Sequence, residues 1–126
     1  MNNEKFATVI NCIDGRVQDP VKDWIIDSFG VEFVDVITEP GDDKILSSGS
    51  KEKIEEIKQK VEVSIQAHSS KAVVVVGHFD CAGNIAVKEE HITEIKKGME
   101  IVRSWNLGAQ VVGLWVDENW EAGSVE

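Results

Sequence analysis

Two separated segments of this chain carry residues that could do chemistry together: Cys12, and the pair His78 and Cys81 in H-x-x-C spacing. They are its only cysteines and one of its three histidines. A thiolate pair and an imidazole match the ligand softness that zinc prefers. Three protein ligands with an open fourth position is the pattern of a catalytic zinc site, whereas structural sites fill all four positions. Asp14 and Arg16 follow Cys12 at the second and fourth positions. Asp14 could occupy the fourth metal position itself. Alternatively, a salt bridge to Arg16 could hold it off the metal, free to accept a hydrogen bond from a metal-bound water.

For these segments to meet, each must end a strand on the same edge of a sheet. Residues 6–11 (FATVIN) read as a short buried strand leading into Cys12, and residues 72–77 (AVVVVG) read as a central strand leading into His78. Residues 32–38 (EFVDVIT) alternate as a second strand, and 110–117 (QVVGLWVD) form a fourth. Between them, apolar residues recur at helical spacing after Asp19-Pro20, over 51–69 and over 89–105. Asp19 is the expected N-cap of the first helix, with Pro20 at its first helical position. Residues 39–50 are polar and turn-rich, and the segment after Asp117 is a short acidic tail.

Alternating strands and helices predict one three-layer, doubly wound α/β domain over residues 1–126, with a mainly parallel sheet of about four strands. In the order 2-1-3-4, strands one and three are neighbours whose connections leave to opposite faces. Open α/β sheets bind ligands at such a switch point.

The remaining polar residues receive plainer readings. His68 falls near a helix end, where a cation suits the dipole. His91 opens a helix and is expected at the surface, while Asp80 is expected to cap the turn that follows it or to hydrogen-bond backbone amides. Trp24, Trp105 and Trp115 fit core faces, and Trp120 is assigned to a partner subunit. A formal net charge of −10 argues against a nucleic-acid partner. The apolar runs are too short for a membrane span, and the MNNEKF start lacks the pattern of a secretory signal, so the expected location is the cytoplasm.

The pairing of C-x-D-x-R (Cys12, Asp14, Arg16) with G-H-x-D-C-x-G (Gly77 to Gly83), each after a predicted strand, resembles the β-class carbonic anhydrases over roughly residues 6–117. The resemblance implies Zn2+ held by Cys12, His78 and Cys81, with Asp14 and Arg16 as a catalytic dyad. It implies reversible hydration of carbon dioxide to bicarbonate by zinc-bound hydroxide, and assembly into homodimers or higher homo-oligomers. Two alternatives accompany it: a catalytically silent or repurposed zinc-binding homologue, and hydrolysis of a related small substrate such as carbonyl sulfide or carbon disulfide. A further reading, a redox pair of Cys12 and Cys81, leaves the histidine without a role. The sequence departs from the family pattern at Gly15, where a serine is usual. It also has Glu39-Pro40-Gly41-Asp42-Asp43 where an R-N-A-G-N-like segment is typical.

Overall fold

The computed structural model describes residues 5–126. Its elements run β1 (Phe6–Asn11), α1 (Gln18–Phe29), β2 (Phe33–Thr38), α2 (Asp42–Ser48), α3 (Lys51–His68), β3 (Ala72–His78), α4 (Lys88–Ser104), β4 (Gln110–Val116) and β5 (Ala122–Val125). They build one sheet in the order β2-β1-β3-β4-β5, parallel throughout except for the antiparallel β4–β5 pair. The predicted order of the first four strands therefore holds, with one strand added at the edge.

Period-two alternation sorts the strand side chains between two cores. Ala7 and Val9 of β1 and Val74 and Val76 of β3 face α1, packing on Val17, Val21 and Ile25. Ile10 of β1 and Val73 and Val75 of β3 face the other way, onto Leu46 of α2, Ile57 and Val61 of α3 and Ile95 of α4. Helices on both faces explain why β3 is apolar on both sides and fully buried. The helix after β1 covers one face and the helix after β3 the other, which places the switch point between these two strands.

Several expectations are corrected. Residues 39–50 contain α2, where the polar sequence suggested turns. Its Asp42 and Asp43 are each only 1% exposed, so burial of acidic groups hides the helix from a hydrophobic pattern. The acidic tail returns as β5, because pairing with β4 satisfies the open edge. Asp19 is not the cap of α1. A 3₁₀ turn over Gly15–Val17 precedes that helix, and Asp14 caps this turn by accepting a hydrogen bond from the Arg16 amide.

Candidate metal centre

β1 ends at Asn11 and delivers Cys12 beside the end of β3, whose last residue is His78. The loop that follows turns Cys81 back to the same point. Cys12 Sγ and Cys81 Sγ are 3.9 Å apart, and the ligand atoms of Cys12, His78 and Cys81 all lie within 4.8 Å of one another. All three side chains are buried. Among the described residues this is the one group of three such ligands close enough to hold a metal ion. The neighbouring loops approach backbone to backbone. A Cβ on Gly83 would fall 2.5 Å from Pro40 C, and one on Gly41 would fall 2.6 Å from Gly83 O, so both positions exclude larger residues.

The donor set fits a metal. His78 Nδ1 donates to the Phe79 carbonyl at 2.7 Å, which fixes the ring and leaves Nε2 as the free coordinating atom. His78 Nε2 is buried and has no hydrogen-bond partner among the described residues. A buried imidazole nitrogen with no partner is costly unless something fills the position.

The thiols reinforce this. A hydrogen bond from Cys81 pulls Cys12 well below the ordinary thiol range, while the same interaction, followed by burial, pushes Cys81 well above it. The pair thus gives up one proton readily and keeps the other. A cation would stabilise both thiolates. Burial works against charge on His78, but the Cys12 thiolate and the Phe79 carbonyl outweigh it and raise its pKa.

Asp14 and Arg16 form the predicted pair. Arg16 Nη2 donates to Asp14 Oδ2 at 2.7 Å and Arg16 Nε to Asp14 Oδ1 at 3.0 Å, a two-point fork. The Arg16 hydrogen bonds hold the Asp14 carboxyl down at about 2. Gln18, which sequence reasoning passed over, pins the turn: its Nε2 donates to the Cys12 and Asp14 carbonyls, each at 2.8 Å.

Asp80 and His91 are placed differently from expectation, and Trp120 has contacts within its own chain. Asp80 does not cap its turn; its Oδ2 accepts from Arg16 Nη1 at 3.2 Å. Trp120 packs within the chain, with Arg16 Cζ 4.2 Å from its ring centroid and the His78 ring at 6.5 Å. His91, expected at the surface, is 1% exposed and lies 2.6 Å from Asp43 Oδ2, because α2 carries that carboxylate into the core. A pocket of about 450 Å³ opens beside Cys81, lined by Phe79, Ile85, Val87 and Trp115 among others.

A family model described as "Putative carbonic anhydrase" matches residues 2–126. The chain belongs to this carbonic anhydrase family. Solved structures agree on the fold of this family member. A carbonic anhydrase from Glaciozyma antarctica superposes with a TM-score of 0.61 at 14% identity, covering 94% of this chain and 81% of that one. A tetrameric beta-carbonic anhydrase of Sordaria macrospora gives 0.64 at 14% identity, covering 99% and 82%. At such identities the likeness concerns the fold alone. No functionally curated protein matches the sequence. Among the described residues, no helix of this carbonic anhydrase family member is long and apolar enough to cross a membrane.

Proposed function

We propose that this protein is a zinc-dependent enzyme that interconverts carbon dioxide and bicarbonate, with Cys12, His78 and Cys81 as the zinc ligands. The observation that carries the reading is the convergence of three buried ligand atoms within 4.8 Å, beside a carboxylate fixed by Arg16, in a member of a carbonic anhydrase family. Zinc at this position would supply the Lewis acidity that lets a bound water lose its proton near neutral pH.

The chain's own residues then have definite tasks. With its pKa lowered to about 2, Asp14 is an acceptor only at working pH, suited to orient a water by taking its hydrogen bond. Arg16 keeps that carboxylate in place and contributes the one nearby positive charge of the dyad, useful to an anionic product. The pocket beside Cys81 mixes apolar walls (Phe79, Ile85, Val87, Trp115) with the charged Asp80, Lys88 and Glu118, room for a small substrate. Two thiolates offset the charge of the metal, so activity is expected to rise toward mildly alkaline pH.

The acidic segment Glu39 to Asp43 favours a second reading, a zinc-binding homologue without this activity, since carboxylates near a metal repel bicarbonate. The side chains temper that objection. Glu39 is 3.4 Å from Lys53 Nζ. Asp43 is occupied by His91 and Asn84. Burial, and next the charge of Asp43, pushes Asp42 far toward its neutral form. Glu39 and Asp43 are thus engaged by partners, and Asp42 is disfavoured as an anion. Hydrolysis of carbonyl sulfide or carbon disulfide would use the same arrangement.

Exposed apolar residues around the site support a homo-oligomer: Ile13, Phe79, Ile85 and Val87 are 59%, 44%, 93% and 61% exposed. The deciding experiment pairs zinc content with stopped-flow carbon dioxide hydration for the protein and Cys81→Ala. Stoichiometric zinc with hydration, both lost in the variant, is expected. Zinc without hydration would transfer support to the silent homologue, and absence of zinc would end the metal reading.

A further inference from the structure

Four described residues other than glycine have positive φ: Ser69, Asp80, Asn106 and Trp120. Two have an ordinary origin. Ser69 is the C-cap of α3, and Asn106 lies just beyond the end of α4, positions where left-handed backbone terminates helices. Asp80 (φ 57) and Trp120 (φ 59) end no helix. They come from different loops, and both converge on Arg16.

Their contacts leave the guanidinium little freedom. One edge is the fork to Asp14. A second edge donates to Asp80, from Nη1 to Oδ2 at 3.2 Å and from Nη2 to the main-chain oxygen at 3.1 Å. The face lies on the Trp120 ring, 4.2 Å from its centroid. The turn that presents Trp120 is itself braced. Asp117 Oδ1 accepts from the amides of Asn119 and Glu121, and the Trp120 amide donates to the Asp117 carbonyl at 2.9 Å. Antiparallel pairing of Val116 with Ala122 anchors both ends. Backbone strain maintained by surrounding structure at a candidate site points to a task there.

We infer that Trp120 is a positioning residue: with Asp80 it locks Arg16 in place, so that Arg16 holds the Asp14 carboxylate away from the fourth metal position. Asp14 lies only two residues beyond Cys12, and its carboxylate interacts with the charge of His78. Arg16 is half exposed, with 46% of its side chain accessible, and without a fixed face it could swing into solvent and release Asp14. The β4–β5 turn would thereby set whether the centre is open to an outside ligand. This inference rests on the metal reading above.

The test uses Co2+ as a visible reporter and azide as the outside ligand, at one fixed pH. Wild type, Trp120→Phe, Trp120→Leu, Trp120→Met and the double variant Trp120→Leu/Asp14→Asn are loaded with Co2+, and azide is titrated against the d–d bands. The Leu and Met variants, which lack a π face, are expected to need at least about tenfold more azide, equivalent to about 1.4 kcal/mol. Trp120→Phe keeps a face for Arg16 and should stay within about threefold of wild type. Adding Asp14→Asn to Trp120→Leu should restore azide binding, since an amide competes poorly for the metal; a merely structural defect would not be rescued. Unchanged azide affinity in the Leu and Met variants, a loss that Asp14→Asn does not reverse, or failure of both variants to fold would each overturn the role of Trp120. Absence of a thiolate-to-cobalt band in wild type would instead overturn the metal reading, and the inference with it.

Discussion

Two buried polar clusters flank the end of β3, one on each face of the sheet. His78 belongs to the first, with Cys12 and Cys81. The residue before it, Gly77, abuts the second, where an added Cβ would sit 2.6 Å from Asp43 Oδ2. The second cluster is closed on itself: Asp43 accepts from His91 Nδ1 at 2.6 Å and from Asn84 Nδ2 at 3.0 Å. The first leaves His78 Nε2 without a partner and holds two thiols that cannot both ionise easily. A closed polar cluster stabilises and orients its surroundings, whereas an open one identifies where a ligand belongs. Burial alone does not distinguish them; the balance of donors and acceptors does.

Breaking the closed cluster should therefore cost much more fold stability than breaking the open one. His91→Ala leaves the Asp43 carboxylate buried without its main partner and is expected to lower unfolding stability by about 3–5 kcal/mol. Cys81→Ala in the metal-free protein should cost only about 1 kcal/mol, the loss of a small apolar group. Urea unfolding of both variants checks the contrast. Equal losses would mean that the metal-free thiol pair is itself a structural element.

Asp42 sharpens the comparison, since its Oδ2 is also buried without a partner among the described residues. Its folded-state pKa is raised, chiefly by burial, so the folded chain binds its proton more tightly than the unfolded chain. Stability should then fall as pH rises above the ordinary aspartate value toward the folded-state value. Asp42→Asn removes that slope and should be more stable than wild type by about 1 kcal/mol or more at pH 7, with the gap narrowing toward pH 4. Unfolding midpoints measured across this range decide it, and a constant gap would count against burial as the cause.

The smallest effect concerns Asp14, whose side chain is 18% exposed and paired with a half-exposed arginine. Its pKa is depressed to about 2, so its contribution is present above pH 4 and lost as pH falls from about 4 through 2. Asp14→Asn should be slightly less stable than wild type at neutral pH, and acid titration should bring the two melting curves together. Curves that stay apart at pH 2 would mean that the Arg16 fork is not the source.

The features that the sequence by itself determined are those written in short range. The H-x-x-C spacing of His78 and Cys81, the C-x-D-x-R run from Cys12 to Arg16, the valine run of β3, and the helical periodicities of α3 and α4 all depend on residues near each other in the chain. Alternating elements with few allowed topologies then sufficed to bring β1 beside β3. Asp14 and Arg16 were legible for the same reason, being two residues apart on one turn.

Only the tertiary structure decided the rest, because those features arise from contacts between distant segments. α2 was hidden because its acidic first turn is buried by His91 and Asn84, 48 and 41 residues beyond Asp43. β5 exists through pairing with β4 rather than through its own sparse apolar content. Asp80 lies inside the His78–Cys81 motif and Trp120 in an acidic segment, but their shared task emerges only when their two loops meet at Arg16, 64 residues from Asp80. Local propensity and spacing specify elements and ligand sets, but the partner of a buried charge is chosen by where the folded chain places it.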